Sequence, residues 1–139
     1  MSKFTETVHA DTPKFVVQYR TDGTNQEFSW GMSKVMPMLS LIGAIARVQG
    51  EIGMWLSDPH FGEGDPHYCD MMALVLAWDA ESKTFNWFVN PAIPLDPLLG
   101  ILEVTNVTLT SQHIMREQQA AAATGIIGPD GRPVRRGMT

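Results

Sequence analysis

Two kinds of hydrophobic periodicity divide the chain. Lys14-Arg20 and Gln26-Trp30 are rich in β-branched and aromatic residues, and the polar cluster Thr21-Asp22-Gly23-Thr24-Asn25 lies between them. Met71-Trp78 and Thr84-Val89 flank a second polar cluster, Asp79-Ala80-Glu81-Ser82-Lys83. Each set reads as two strands joined by a turn. Asp22-Gly23 strengthens the first hairpin, because glycine accepts the positive φ that tight hairpin turns need. After each hairpin the period changes. Leu41, Ile45, Val48 and Ile52 stand at i, i+4, i+7 and i+11, one stripe of an α-helix, and Leu98, Leu102, Thr105 and Leu109 repeat that spacing. For the second helix Asp96 is the expected N-cap and Pro97 the first helical position. The run Val104-Thr105, Val107-Thr108, Thr110 has strand propensity, which the periodicity and the start signal outweigh. Beyond it, Ser111-Gln119 either continues the helix into Ala120-Ala123 or restarts it after a break, and Gly125 stops it.

The two halves also match each other. Displaced by 57 residues without gaps, Phe28-Ser29-Trp30 lies over Phe85-Asn86-Trp87, Asp22 over Asp79 and Pro37 over Pro94. Leu41-Ile42-Gly43-Ala44-Ile45 falls over Leu98-Leu99-Gly100-Ile101-Leu102. Identities number six in the 38 positions from Phe15 to Ile52, so the match rests on rare residues and turn punctuation keeping register. The expected fold is α+β: an internally duplicated ββα–ββα chain with a four-stranded, mainly antiparallel sheet and two helices packed on one face. As one domain it divides into an N-terminal arm (1–13), copy one (14–52), a connection (53–70), copy two (71–119) and a C-terminal tail (120–139).

Composition narrows the function classes. A hydrophobic share of 44% against 18% charged residues supports a core over 139 residues and excludes wholesale disorder. Fifteen acidic against ten basic residues, a net charge of -5, argue against direct nucleic-acid binding and against an anionic membrane surface. No apolar run is long enough to span a bilayer, and Met1-Phe15 has no apolar signal-peptide core. The expected location is a virion or the host cytoplasm. Cys69, the lone cysteine, forms no intramolecular disulfide.

The second hairpin is apolar on both faces. Met71, Ala73, Val75 and Ala77 point one way, Met72, Leu74, Leu76 and Trp78 the other, and the return strand adds Phe85, Trp87 and Val89 opposite Phe88. Two helices cover one side only. The other side needs the chain's own arm and connection, a second subunit or a ligand. Trp30, Trp78, Trp87 and Phe88 are the interface candidates, with Arg132, Arg135 and Arg136, the only basic cluster, as carboxylate or phosphate contacts.

The connection repeats a short motif, Asp58-Pro59-His60 and Asp65-Pro66-His67, with Glu63, Cys69 and Asp70 nearby. His60, Asp65, His67 and Cys69 have the donor types of a transition-metal site, yet His-x6-His-x-Cys matches no closed zinc pattern, and Asp-Pro makes turns unaided. No metal and no cofactor is expected. A Cys69 thiolate paired with His67 or His60 is the available nucleophile, against the simpler reading of a small core residue. Gly62-Glu63-Gly64 has acid where a phosphate loop needs donors. Asn106-Val107-Thr108 matches a glycosylation sequon only incidentally.

No catalytic residue emerges. The leading expectation is a non-enzymatic, self-associating structural or assembly protein, such as a phage virion component, with copies of itself or other virion proteins as partners. The alternatives are an oligomeric viral accessory protein that sequesters a nucleotide, and a metal-dependent enzyme built on 58–70.

Overall fold

The hairpins and helices occur in the expected order in the computed structural model, which describes residues 3–33 and 36–123. Helix α1 (Lys3–Thr7) precedes strands β1 (Lys14–Thr21) and β2 (Gln26–Met32), which lead to helix α2 (Met38–Leu56). Strands β3 (Ala73–Asp79) and β4 (Thr84–Val89) lead to helix α3 (Leu95–Ala123). All neighbouring strands are antiparallel, in the order β2-β1-β3-β4. The fold is α+β with one four-stranded antiparallel sheet.

Both turns are built by an aspartate. Asp22 Oδ1 accepts from the Thr24 and Asn25 amides at 3.0 and 2.8 Å, and Gly23 has φ +94°. Asp79 Oδ1 accepts from the Glu81 amide at 3.0 Å, and Lys83 takes the left-handed conformation at φ 59°. A carboxylate that accepts main-chain N–H bonds is favoured in its charged form. The amides of Asn25 and Thr24 therefore lower the pKa of Asp22, while the Ser82 hydroxyl and the amides of Glu81 and Ser82 lower that of Asp79.

Strand alternation sorts the sheet residues onto two faces. One face carries Phe15, Val17, Leu74, Leu76, Phe85, Trp87 and Val89 into the main core. There they meet Leu41, Ile45, Val48 and Ile52 of α2 and Leu98, Leu102 and Leu109 of α3, all wholly buried. Each such aliphatic side chain contributes roughly 1.5–3 kcal/mol relative to exposure. Thr105, in the same stripe, is buried too, and its hydroxyl donates to the Ile101 carbonyl at 2.7 Å. Asn106 Nδ2 donates to the Ile42 carbonyl, while Leu95 lies against Gly53, so α2 and α3 run antiparallel.

Several element boundaries differ from expectation, among them β2, which runs on to Met32, and β3, which begins only at Ala73. Helix α2 runs on to Leu56, so the connection begins at Ser57. Helix α3 begins at Leu95 and runs unbroken to Ala123, which places Asp96 and Pro97 inside its first turn. Neither is misplaced there: first-turn N–H groups have no helical acceptor, so proline sacrifices nothing, and a carboxylate favours the positive end of the helix dipole. The arm (1–13), to which the sequence pattern assigns no element, contains α1.

The 57-residue displacement holds in some elements and slips in others. Val17 of β1 faces Leu74 of β3, its counterpart under that displacement. In the hairpins the agreement fails. Val17 pairs with Trp30, but Leu74 pairs with Val89 and not with Trp87, because the first hairpin is centred between Gly23 and Thr24 and the second between Glu81 and Ser82, one residue later than the displacement predicts. A slip of two preserves the faces, so both aromatic pairs still point into the main core.

Candidate functional site

The second face of the sheet is the place where the sequence leaves a surplus, and the chain covers half of it. Ala73, Val75, Ala77 and Phe88 form a second buried cluster with Phe4 of α1 and Cys69 of the connection, flanked by Val8 and Val16. Phe4 meets Phe88 edge to face with ring centroids 5.3 Å apart. Lys14 Nζ anchors the arm by donating to the carbonyls of His9, Ala10 and Thr12. The arm and connection thus cover the β3–β4 half.

The β1–β2 half stays open. Lys14, Val16, Gln18, Ser29, Gly31, Met32 and Met71 line a shallow groove of about 410 Å³ there. Met32 and Met71 are exposed, and Ser29 and Gly31 carry little side chain to shield the strand. Beside this groove runs the outer edge of β2, paired with β1 on one side only. The opposite edge of the sheet is treated differently. His67–Cys69 lies against the end of β4: the Val89 amide donates to the His67 carbonyl at 2.7 Å, and the Cys69 amide donates to the Val89 carbonyl at 3.1 Å. Tyr68 makes a parallel bridge to Val89 in the same place.

Helix α3 is apolar on two opposite sides. Leu98, Leu102 and Leu109 face the core, while Val104, Val107, Ile114 and Met115 stand exposed on the other side. At 100° per residue those four fall within about one third of the helix circumference. From Thr110 to Ala122 no side chain is buried, so the last turns extend past the packed body.

The interface candidates are distributed unevenly. Trp87 and Phe88 are buried inside the chain, Trp87 in the main core and Phe88 beneath Phe4, which removes both from the surface. Trp30 is half-buried on β2, tilted against Phe15, and Trp78 is half-buried against Phe85. Arg132, Arg135 and Arg136 lie outside the described residues.

The residues of the connection serve its turns. The Asp58 carboxylate accepts from the His60 amide at 2.9 Å, and that of Asp65 from the Gly62 amide at 2.7 Å. His60 is exposed. The His67 ring stacks on Trp87 at 3.8 Å, touches Trp55 edge-on, and places Nδ1 2.8 Å from the Trp87 carbonyl. A carbonyl only accepts, so Nδ1 carries the proton and His67 pins the connection to β4. Cys69 is buried, and burial pushes its thiol up to about 11, away from the thiolate that a nucleophile or metal ligand requires. Among the described residues no three His, Cys, Asp or Glu side chains gather where they could hold a metal ion. The sequon asparagine, Asn106, is engaged between α2 and α3.

Among the described residues no helix is long and apolar enough to cross a membrane. Comparison with protein-family models, with curated proteins and with solved structures finds no match.

Sequence reasoning passed over two of these surfaces. The outer side of α3 has a signal in the sequence, a second stripe of Val104, Val107 and Ile114 at spacings of three and seven. The β2 edge carries no such signal, because strand order depends on which strands meet across the halves.

Proposed function

We propose that this chain is a non-enzymatic, self-associating structural protein, most concretely an assembly component of a phage virion. The observation that supports it is the two-sided helix α3, with Val104, Val107, Ile114 and Met115 exposed on a helix that extends past its own core. Isolated helical turns are marginal in water, and exposed apolar stripes are buried by partners. A second copy supplies an identical stripe, which makes the surface self-complementary. Multi-angle light scattering over a wide concentration range tests the reading. The expected result is association that Val107→Lys and Ile114→Lys weaken; a compact monomer at millimolar concentration overturns it.

The chain is further proposed to be an internal duplication of a ββα unit. Supporting this are the eight buried positions Leu41, Ile45, Val48, Ile52, Leu98, Leu102, Thr105 and Leu109, paired at a constant displacement, and the matching turn aspartates Asp22 and Asp79. The two-residue slip between the hairpins then corresponds to a turn centred one residue later in the second copy.

A further inference from the structure

A β-strand at the end of a sheet has half of its main-chain groups unpaired, and folded proteins blunt such edges with lysine, proline, bulges or a covering segment. Strand β2 has none of the first three: Gln26–Met32 pairs with β1 in unbroken register and carries one charge, Glu27. The covering segment is present at the other end of the sheet, where His67–Cys69 lies along β4. Among the described residues no main-chain hydrogen bond reaches the outer side of β2.

The side on which each residue of β2 bonds follows from the hairpin. The Ser33 amide donates to the Lys14 carbonyl, and the Asp22 amide to the Asn25 carbonyl. In an antiparallel ladder such positions alternate, so Glu27, Ser29 and Gly31 turn their N–H and C=O groups toward β1. Gln26, Phe28, Trp30 and Met32 turn theirs outward.

We infer that a second copy of this chain adds to this edge, β2 against β2, to form a continuous eight-stranded antiparallel sheet about a two-fold axis at Ser29. Four observations select this occupant. The outward set is self-complementary, because centring on Ser29 places Gln26 opposite the second copy's Met32 and Phe28 opposite its Trp30. All seven residues then overlap, with every outward donor against an outward acceptor. Charge fits as well: Glu27 falls opposite Gly31, whereas a register centred on Glu27 sets two carboxylates face to face. Finally, the molecule already contains such a joint, since β1 and β3 meet antiparallel with Val17 opposite Leu74, its counterpart under the 57-residue displacement. Aromatic cross-strand pairs, here Phe28 with Trp30, are among the stabilising ones.

The inference rests on the self-association reading and adds a specific contact, separate from the α3 stripe. Ser29 is exposed and on this axis stands opposite its own copy at a non-hydrogen-bonded position, where side chains come closest. Sedimentation velocity on the full chain carrying Ser29→Lys or Ser29→Glu is expected to show the dissociation constant raised about fivefold. An equimolar mixture of the two variants restores association. Ser29→Cys is expected to give a covalent dimer on mild oxidation, with Cys69 too buried to compete. If the Ser29 variants associate as the wild type does while Ile114→Lys abolishes association, the edge inference falls and the self-association reading stands. A wild-type chain that is monomeric throughout overturns both.

Discussion

At the scale of single residues, Cys69 is the clearest case of a chemically suggestive side chain given a structural role. It fills the space between the connection and the second face of the sheet, and it keeps its proton because a thiolate there would lose its hydration. The sign of the pH effect follows. The folded thiol titrates at about 11 against an ordinary value of 9.0, so its contribution to stability is complete below pH 9 and declines as pH rises from 9 to 11. Thermal melts between pH 8 and 11 are expected to fall in the wild type and to flatten in Cys69→Ala. At pH 8 a thiol reagent should label the native chain far more slowly than the urea-unfolded chain; equal rates would refute the buried assignment.

At the scale of elements, α3 shows how tertiary packing overrides propensity. Val104, Thr105, Val107, Thr108 and Thr110 favour strand, yet all lie in a helix whose core-facing positions include Leu98, Leu102 and Leu109. The periodicity was therefore legible, and with it the hairpins, whose turns depend on local aspartates. Element ends were less so: nothing in Met54-Trp55-Leu56 separates the last turn of α2 from a loop until Trp55 is seen packing on Phe61, His67 and Trp87. The pairing of β1 with β3 joins strands far apart in the chain and has no local signature at all. Thr105 permits a test of how much its hydroxyl matters. Its bond to the Ile101 carbonyl duplicates a helical acceptor, whereas a methyl group would add apolar contact at a buried site. Thr105→Val is expected to leave stability unchanged or raise it by up to about 1 kcal/mol, read from the urea midpoint. A loss of about 2 kcal/mol would show the hydroxyl to be required.

At the scale of the whole molecule, the second sheet face is divided into a covered β3–β4 half and an open β1–β2 half. The sequence surplus on the second hairpin was readable, and the arm answers it with one aromatic side chain, Phe4, over Phe88 and the small residues of β3. A five-residue helix with a single buried residue is weakly held by itself, so its docking depends on that ring. Phe4→Ala is expected to cost about 3 kcal/mol in urea unfolding, since phenylalanine truncation at a buried site lies near that value. The same substitution should open Cys69 to alkylation in the native state. Unchanged stability together with a protected thiol would mean that the connection alone covers this half of the face.

The central joint of the sheet also governs how the molecule reaches its fold. Each hairpin closes a turn of a few residues, an event on the order of 1–10 μs for an isolated hairpin. Bringing Val17 against Leu74 instead closes a loop of 57 residues. Loop-closure entropy rises with length, and contacts of long sequence separation slow folding. The slow event expected in folding is therefore the closing of that loop, and a chain in which it is still open leaves β1 and β3 unpaired with each other.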